Sequence, residues 1–177
     1  MPCLSELATL TEATQGTSIA RFGHGELAIM NGMDANKQKY NPRLAEELRS
    51  IFRSSPCLVC VPHTHGKRAW EWKTFLSEFG KEICPNKWYG SAFMSREDEV
   101  TWPEGYKEFA GNFLSGAQCV SPEGENDYAR VDELYTKALS IEGPIFISCG
   151  PTGTVLADRL ARAGKWAVDI GNMRAFL

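Results

Sequence analysis

The sequence predicts a three-layer α/β domain with a mostly parallel sheet, and three observations carry that expectation. Short apolar runs of strand length alternate with helix-like segments along the chain. The last third reads as strand, helix and strand, a unit that requires a right-handed crossover and parallel pairing. At 177 residues, with 43% hydrophobic and 23% charged residues, the chain is long enough for one substantial core over 1–177 and too apolar for disorder.

The elements follow in order. Ser5 to Glu12 reads as a short helix with Leu4, Leu7 and Leu10 on one side. Gly16 and Thr17 turn the chain into a strand over Ser18–Phe22. Gly23-His24-Gly25 is then a sharp turn before a short helix, Glu26–Met30. Asn41-Pro42 starts the next helix, a polar cap followed by proline at the first position, and Leu44, Leu48 and Ile51 form its apolar face. Cys57–Val61 is an apolar strand stopped by Pro62. Lys67 to Phe79 reads as a helix anchored by Trp70, Phe75 and Phe79. Tyr89 to Arg96 is either extended or a short helix.

Tyr106–Leu114 is predicted helical and Gln118–Val120 a brief strand. Asn126 or Asp127 is expected to cap a helix containing Tyr128, Val131, Tyr135 and Leu139. Pro144–Cys149 is apolar without alternation, as in a strand buried on both faces. Gly150 to Thr154 turns into a helix with Val155, Leu156 and Leu160 inward. Gly164 ends that helix, and Trp166–Ile170 forms the last strand.

Composition excludes several classes of function. Nineteen basic against twenty-two acidic residues, a net charge of −3, give no general electrostatic case for nucleic acid. No apolar run approaches the roughly twenty residues that cross a bilayer. Met1–Glu6 lacks the basic and hydrophobic segments of a secretory signal, so a cytoplasmic chain is expected. Four of the six cysteines, Cys57, Cys60, Cys119 and Cys149, fall in or beside strand-like runs, which predicts buried, inert thiols. Cys57-x-x-Cys60 lies inside a strand and does not open a helix, a poor setting for redox chemistry.

Ligands of open α/β sheets bind beyond the carboxyl ends of the strands, and three predicted loops leave such ends. Gly23-His24-Gly25-Glu26-Leu27-Ala28 formally fits a dinucleotide fingerprint. Glu26, however, places a carboxylate where phosphates would sit. A divalent cation reverses that argument: Glu26 with His24 can bind a cation that bridges to a diphosphate. Arg21 can pair with Glu26 or with phosphate. The simpler alternative is a strand-end turn in which Glu26 only caps its helix.

His63-Thr64-His65 follows a second strand end. With His24 and Glu26 these histidines can form a nitrogen-rich zinc, iron or manganese site, against the commoner outcome of solvated loop histidines. Gly150-Pro151-Thr152-Gly153-Thr154 has the general character of a phosphate cradle at a helix start, with Thr152 or Thr154 as hydroxyl donor. It lacks the lysine of a P-loop. Asp169 sits in an apolar strand and needs a polar partner or a ligand, with Asn172 near the same edge. Tyr89, Ser91, Ser95 and Arg96 form a cluster able to contact a sugar or base, or an ordinary surface cluster. Cys149 has no sequence-linked histidine to act as its base, so thiol catalysis is not expected.

Three blocks of the chain together resemble a known family. Ser18-Ile19-Ala20-Arg21-Phe22-Gly23-His24-Gly25-Glu26 is the first, and Trp88-Tyr89-Gly90-Ser91-Ala92-Phe93-Met94-Ser95-Arg96 the second. The third runs from Gly150-Pro151-Thr152-Gly153-Thr154-Val155-Leu156-Ala157 through Asp169-Ile170-Gly171. In this order they resemble the bacterial GT-D-type glycosyltransferases, over about Ser18 to Asn172. The resemblance implies a Rossmann-like sheet and the transfer of a hexose, glucose or a relative, from a UDP-sugar to a glycan. It implies a divalent metal, manganese before magnesium, held by Glu26 and His24. The family's first block reads Arg-Phe-Gly-Asp-Gly-Glu, and His24 stands here in the place of its aspartate. The resemblance further implies donor binding by Arg21, Gly23, Gly25, Ser91, Arg96, Gly150, Thr152, Gly153 and Thr154. Glu26 and Asp169 are the catalytic candidates, and a homo-oligomer is allowed. The competing expectations are a nucleotide-sugar-binding protein without turnover and a histidine-centred, metal-dependent hydrolase.

Overall fold

The computed structural model describes residues 3–62, 88–95, 100–121, 124–171 and 173. The expected helix over Lys67–Phe79 lies outside them, as do His63, His65, Arg96 and Asn172.

Six strands form one sheet: β1 (Ile19–Arg21), β2 (Leu58–Val61), β3 (Gly90–Ser91), β4 (Gln118–Val120), β5 (Ile145–Ile147) and β6 (Ala167–Asp169). Their order is β3-β2-β1-β6-β5-β4 and every pairing is parallel. Among the described residues six helices accompany them: α1 (Glu6–Thr14), α2 (His24–Met30), α3 (Pro42–Ser54), α4 (Tyr106–Leu114), α5 (Val131–Leu139) and α6 (Pro151–Arg162). The three-layer α/β reading therefore holds.

Handedness accounts for the layers. From β1 to β3, and again from β4 to β6, the chain steps across the sheet in one sense, so right-handed crossovers put α2, α3, α5 and α6 on one face. The passage from β3 to β4 runs from one edge to the other in the opposite sense, and α4 joins α1 on the second face. Strand side chains alternate between the two cores. Val59, Val61, Ile145 and Ile147 enter the first, while Cys60, Phe146 and Val168 enter the second. Both faces are covered, which is why these strands are apolar without a break.

Strand ends are shorter than the apolar runs that predict them, although main-chain bonding continues past them. Phe22 N–H donates to Cys60 C=O at 2.8 Å and Ile170 N–H to Ile147 C=O at 2.8 Å. Helix α1 buries Thr9, Leu10 and Ala13, whereas Leu7 is exposed. The three-residue spacing of Leu4, Leu7 and Leu10 drifts around a helix of 3.6 residues per turn, so it does not mark the inner face. The block after Tyr89 holds both expected forms in succession, with β3 followed by a 3-10 segment over Ala92–Ser95. His24 and Gly25 belong to the first turn of α2 and not to the loop before it.

Candidate active site

The carboxyl ends of β1, β5 and β6 open on a cavity of about 700 Å³. Arg21, the last residue of β1, is nine-tenths buried at its floor. Its Nε lies 4.0 Å from Asp169 Oδ1 at the end of the neighbouring strand and has no hydrogen-bond acceptor. Gly171 packs directly on this guanidinium: a Cβ there would stand 2.5 Å from Arg21 Nε, at a backbone φ of +51°. Only glycine satisfies both conditions.

Glu26 is 1% exposed and lines the cavity. Its Oε2 accepts the Gly23 N–H at 2.6 Å and caps α2, while Oε1 is buried without a partner. An orphaned carboxylate oxygen costs free energy unless a ligand meets it. The cap expected of Glu26 thus uses one oxygen of its carboxylate and leaves the other without a partner. His24 and Gly25 share the cavity wall with it.

Helix α6 points its N-terminus at the same space, with Gly150 and Pro151 on the wall. Gly150 caps the helix through backbone conformation alone, at φ +52° and ψ −142°, a region open to glycine. The residues after Pro151 correct the expectation of a threonine-lined cradle. Thr152 and Thr154 are fully buried and turned into the protein. The Thr152 hydroxyl lies 3.3 Å from Gln38 Oε1, and the Thr154 hydroxyl donates to the Arg21 carbonyl at 2.8 Å. Gly153 N–H returns to Gly150 C=O at 2.7 Å. These groups are satisfied internally, so what reaches the cavity is the head of the helix and not its hydroxyls.

Asp169 is fully buried and lies beneath Arg21 and Gly171 instead of on the cavity wall. Its Oδ1 accepts Gly171 N–H at 3.0 Å. Burial, with the Glu26 charge adding to it, lifts its carboxyl to about 7 against the opposing pull of Arg21. Asp169 is therefore separated from the cavity by Arg21, the ion-pair partner above it. Ser91 is also elsewhere. It sits in edge strand β3, where its hydroxyl donates to Glu6 at 2.9 Å and its N–H to Thr9 Oγ1 at 2.8 Å. Gly23 serves the cap of α2 and is not on the wall. Cys149 does line the cavity, but burial pushes its thiol far above the usual range and it points at Val120 C=O, 3.3 Å away.

The outer wall comes from two segments with no motif in the sequence. Residues 34–38, between α2 and α3, face Ser121, Gly124 and Asp127 from the β4–α5 connection. Gln38 ties the wall together: its Oε1 accepts Tyr128 N–H at 3.3 Å as well as facing Thr152. The only sequence signal was a run of polar residues between two helices, which reads as an ordinary loop.

Among the described residues no three His, Cys, Asp or Glu side chains cluster as metal ligands. Glu26 Oε1 is nonetheless a buried, unpartnered oxygen on a residue that lines the cavity. Magnesium-like ions are commonly held by one or two carboxylates, with substrate phosphates and water completing the shell. Among the described residues the donors fit a cation shared with a diphosphate and do not by themselves complete a metal shell.

The model of the family described as "Glycosyltransferase GT-D fold" matches residues 19–101, which include Arg21, His24 and Glu26 but not the Gly150 loop. The chain is 26% identical over 202 residues to the glycosyltransferase GlyD of Streptococcus pneumoniae serotype 4, with 89% of this chain covered. It spans 25% of the length of that relative. Two solved structures align over 98% of this chain and 79% of their own. One is a selenomethionine-substituted domain of unknown function 1792, with a TM-score of 0.82 and 25% identity. The other, at 0.80 and 24%, is described as the same domain having a distinct glycosyltransferase fold. The chain carries the GT-D glycosyltransferase fold, and its residues 19–101 are similar in sequence to that family.

Proposed function

We propose that this chain transfers a hexosyl group, glucose or a relative, from a UDP-sugar to a hydroxyl of a glycan acceptor. The observation that supports the reading best is a convergence at one cavity. A buried arginine, the unpartnered oxygen of Glu26 and the head of α6 meet at the carboxyl ends of the central strands. The head of a helix carries partial positive charge and favours an anion. Arg21 adds a full charge at the floor. These two offset the diphosphate, and they do most when charge builds on it as the glycosidic bond breaks.

Glu26 Oε1, with His24 beside it, would hold a divalent cation against the diphosphate. Such a cation supplies Lewis-acid stabilisation of the leaving group. A histidine ligand in place of aspartate removes one negative charge from the protein side, which favours manganese over magnesium. Asp169 and Gly171 keep the guanidinium in place from below. Cys3, Cys57, Cys60, Cys119 and Cys149 are thiols and not disulfides, which supports a cytoplasmic setting. No helix among the described residues is long and apolar enough to cross a membrane.

Calorimetric titration with UDP and UDP-glucose, each with and without manganese, tests the reading. Metal-dependent binding that disappears in Glu26→Gln is the expected result. Absence of binding by the wild-type protein under all four conditions rejects the UDP-sugar donor.

A further inference from the structure

Asp127 opens the 3-10 segment Asp127–Arg130 and lines the cavity with 8% of its surface exposed. Its side chain has no hydrogen bond and no ion pair among the described residues. The expected capping role is absent as well, since the segment has no side-chain cap and Asn126 Oδ1 instead accepts Lys39 N–H at 2.7 Å. Charges on Arg130 and Lys37 reach Asp127 only from a distance and oppose the burial that pushes its carboxyl up.

The backbone around this carboxylate is clamped. Asn126 N–H donates to Lys37 C=O at 2.7 Å, Lys39 N–H returns to Asn126, and Tyr128 N–H donates to Gln38 at 3.3 Å. Lys37 and Asn126 both adopt left-handed conformations, at φ +62° and +60°, to make these contacts. Two non-glycine residues in that region are costly. A carboxylate without a protein partner among the described residues is thus held at the cavity by a residue that is itself 8% exposed.

Its chemistry selects the ligand group. A phosphate beside it would be repelled, whereas hydroxyls donate to a carboxylate through charge-assisted bonds. Asp127 shares the cavity wall with Cys149 and Gly150, and the 3-10 segment it opens packs against α6. It therefore stands beside the loop that heads α6, next to the anion-binding end of the cavity. A neutral polyol attached to a diphosphate fits that position.

We infer that Asp127 accepts hydrogen bonds from hydroxyls of the donor hexose, and so reads the sugar and not the nucleotide. The inference rests on the nucleotide-sugar reading of the cavity. Its test compares wild-type protein with Asp127→Asn, titrated with UDP and with UDP-glucose in the presence of manganese. Thermal midpoints of both proteins report folding. UDP affinity is expected to stay within about twofold, while UDP-glucose binds about tenfold more weakly to the variant. Unchanged UDP-glucose affinity overturns the inference. Equal weakening of both ligands overturns it too, because Asp127 would then belong to the phosphate or cation site.

If Asp127→Asn does not fold, wild-type protein is titrated with UDP-sugars lacking single hexose hydroxyls. At least one must lose a comparable factor relative to UDP-glucose, and uniform affinity across them rejects the assignment. Wild-type protein that binds UDP no less tightly than UDP-glucose rejects sugar reading alone. Wild-type protein that binds neither rejects the donor site itself and this inference with it.

Discussion

Asp169 Oδ2 lies 3.2 Å from the Thr154 hydroxyl, whose single proton is already directed at the Arg21 carbonyl 2.8 Å away. A hydroxyl has one proton to give, so this contact is best made when Asp169 itself is protonated and donates to Thr154. The elevated Asp169 carboxyl agrees with that arrangement.

The pH dependence follows with its sign. An aspartate raised from 3.8 unfolded to about 7 folded makes the native state bind the extra proton between those values. Its contribution to stability is full below about pH 4 and is lost as pH rises toward 7. Asp169→Asn supplies an amide that donates to Thr154 and accepts from Gly171 at every pH. Thermal midpoints measured from pH 4 to 8 are expected to fall less steeply across this window in the variant than in the wild type. Parallel profiles would show that Asp169 does not titrate there.

Gly171→Ala places a Cβ against the Arg21 guanidinium and strains a left-handed backbone. The backbone term is about 1–2 kcal/mol, and the guanidinium must leave its seat. UDP affinity is expected to drop by more than the loss of stability explains, because the cation at the cavity floor has moved. Calorimetry together with a denaturation curve separates the two effects.

Glu26 gives one oxygen to the Gly23 N–H and leaves the other buried without a partner, which makes its substitutions distinguishable. Glu26→Gln retains an acceptor for the cap and is expected to keep most of its stability while losing metal-dependent UDP binding. Glu26→Ala loses both, with a further cost of about 1 kcal/mol for the cap. Denaturant midpoints of the two variants check the difference.

Arg159 grips Glu47 through two bonds of 2.7 and 3.0 Å and reaches Asp132 at 2.7 Å, while Tyr128 OH donates to Glu47 at 2.7 Å. Glu47 is three-quarters buried and Asp132 is 91% exposed. Solvent screens the Asp132 contact, so Asp132→Ala is expected to change stability by less than about 0.5 kcal/mol. Arg159→Ala leaves Glu47 short of donors in a partly buried place and is expected to cost about 1–2 kcal/mol. Urea denaturation of both variants measures the contrast.

Periodicity and punctuation sufficed for the alternating elements of this chain, because a strand buried on both faces and a helix after Asn41-Pro42 are local consequences of residue type. The runs around Arg21, Glu26 and Gly150 also marked the site, since polar residues at the ends of apolar strands have few other reasons to be there. Local sequence could not say which atoms face the cavity. Thr152 and Thr154 looked like ligand groups and turned inward, because α6 packs across β1 and β6 and its hydroxyls found Gln38 and the Arg21 carbonyl first. Asp169 was rightly marked as needing a partner, but only the packing of Gly171 and Arg21 over it decided that the partner would be protein. Gln38 and Asp127 carried no motif at all. They lie 89 residues apart in the chain and meet on one wall only because the sheet order brings the β1 and β4 connections to the same end. The sequence by itself determined the elements and the residues near strand ends; tertiary packing decided which of those groups it satisfied internally and which it left for a ligand.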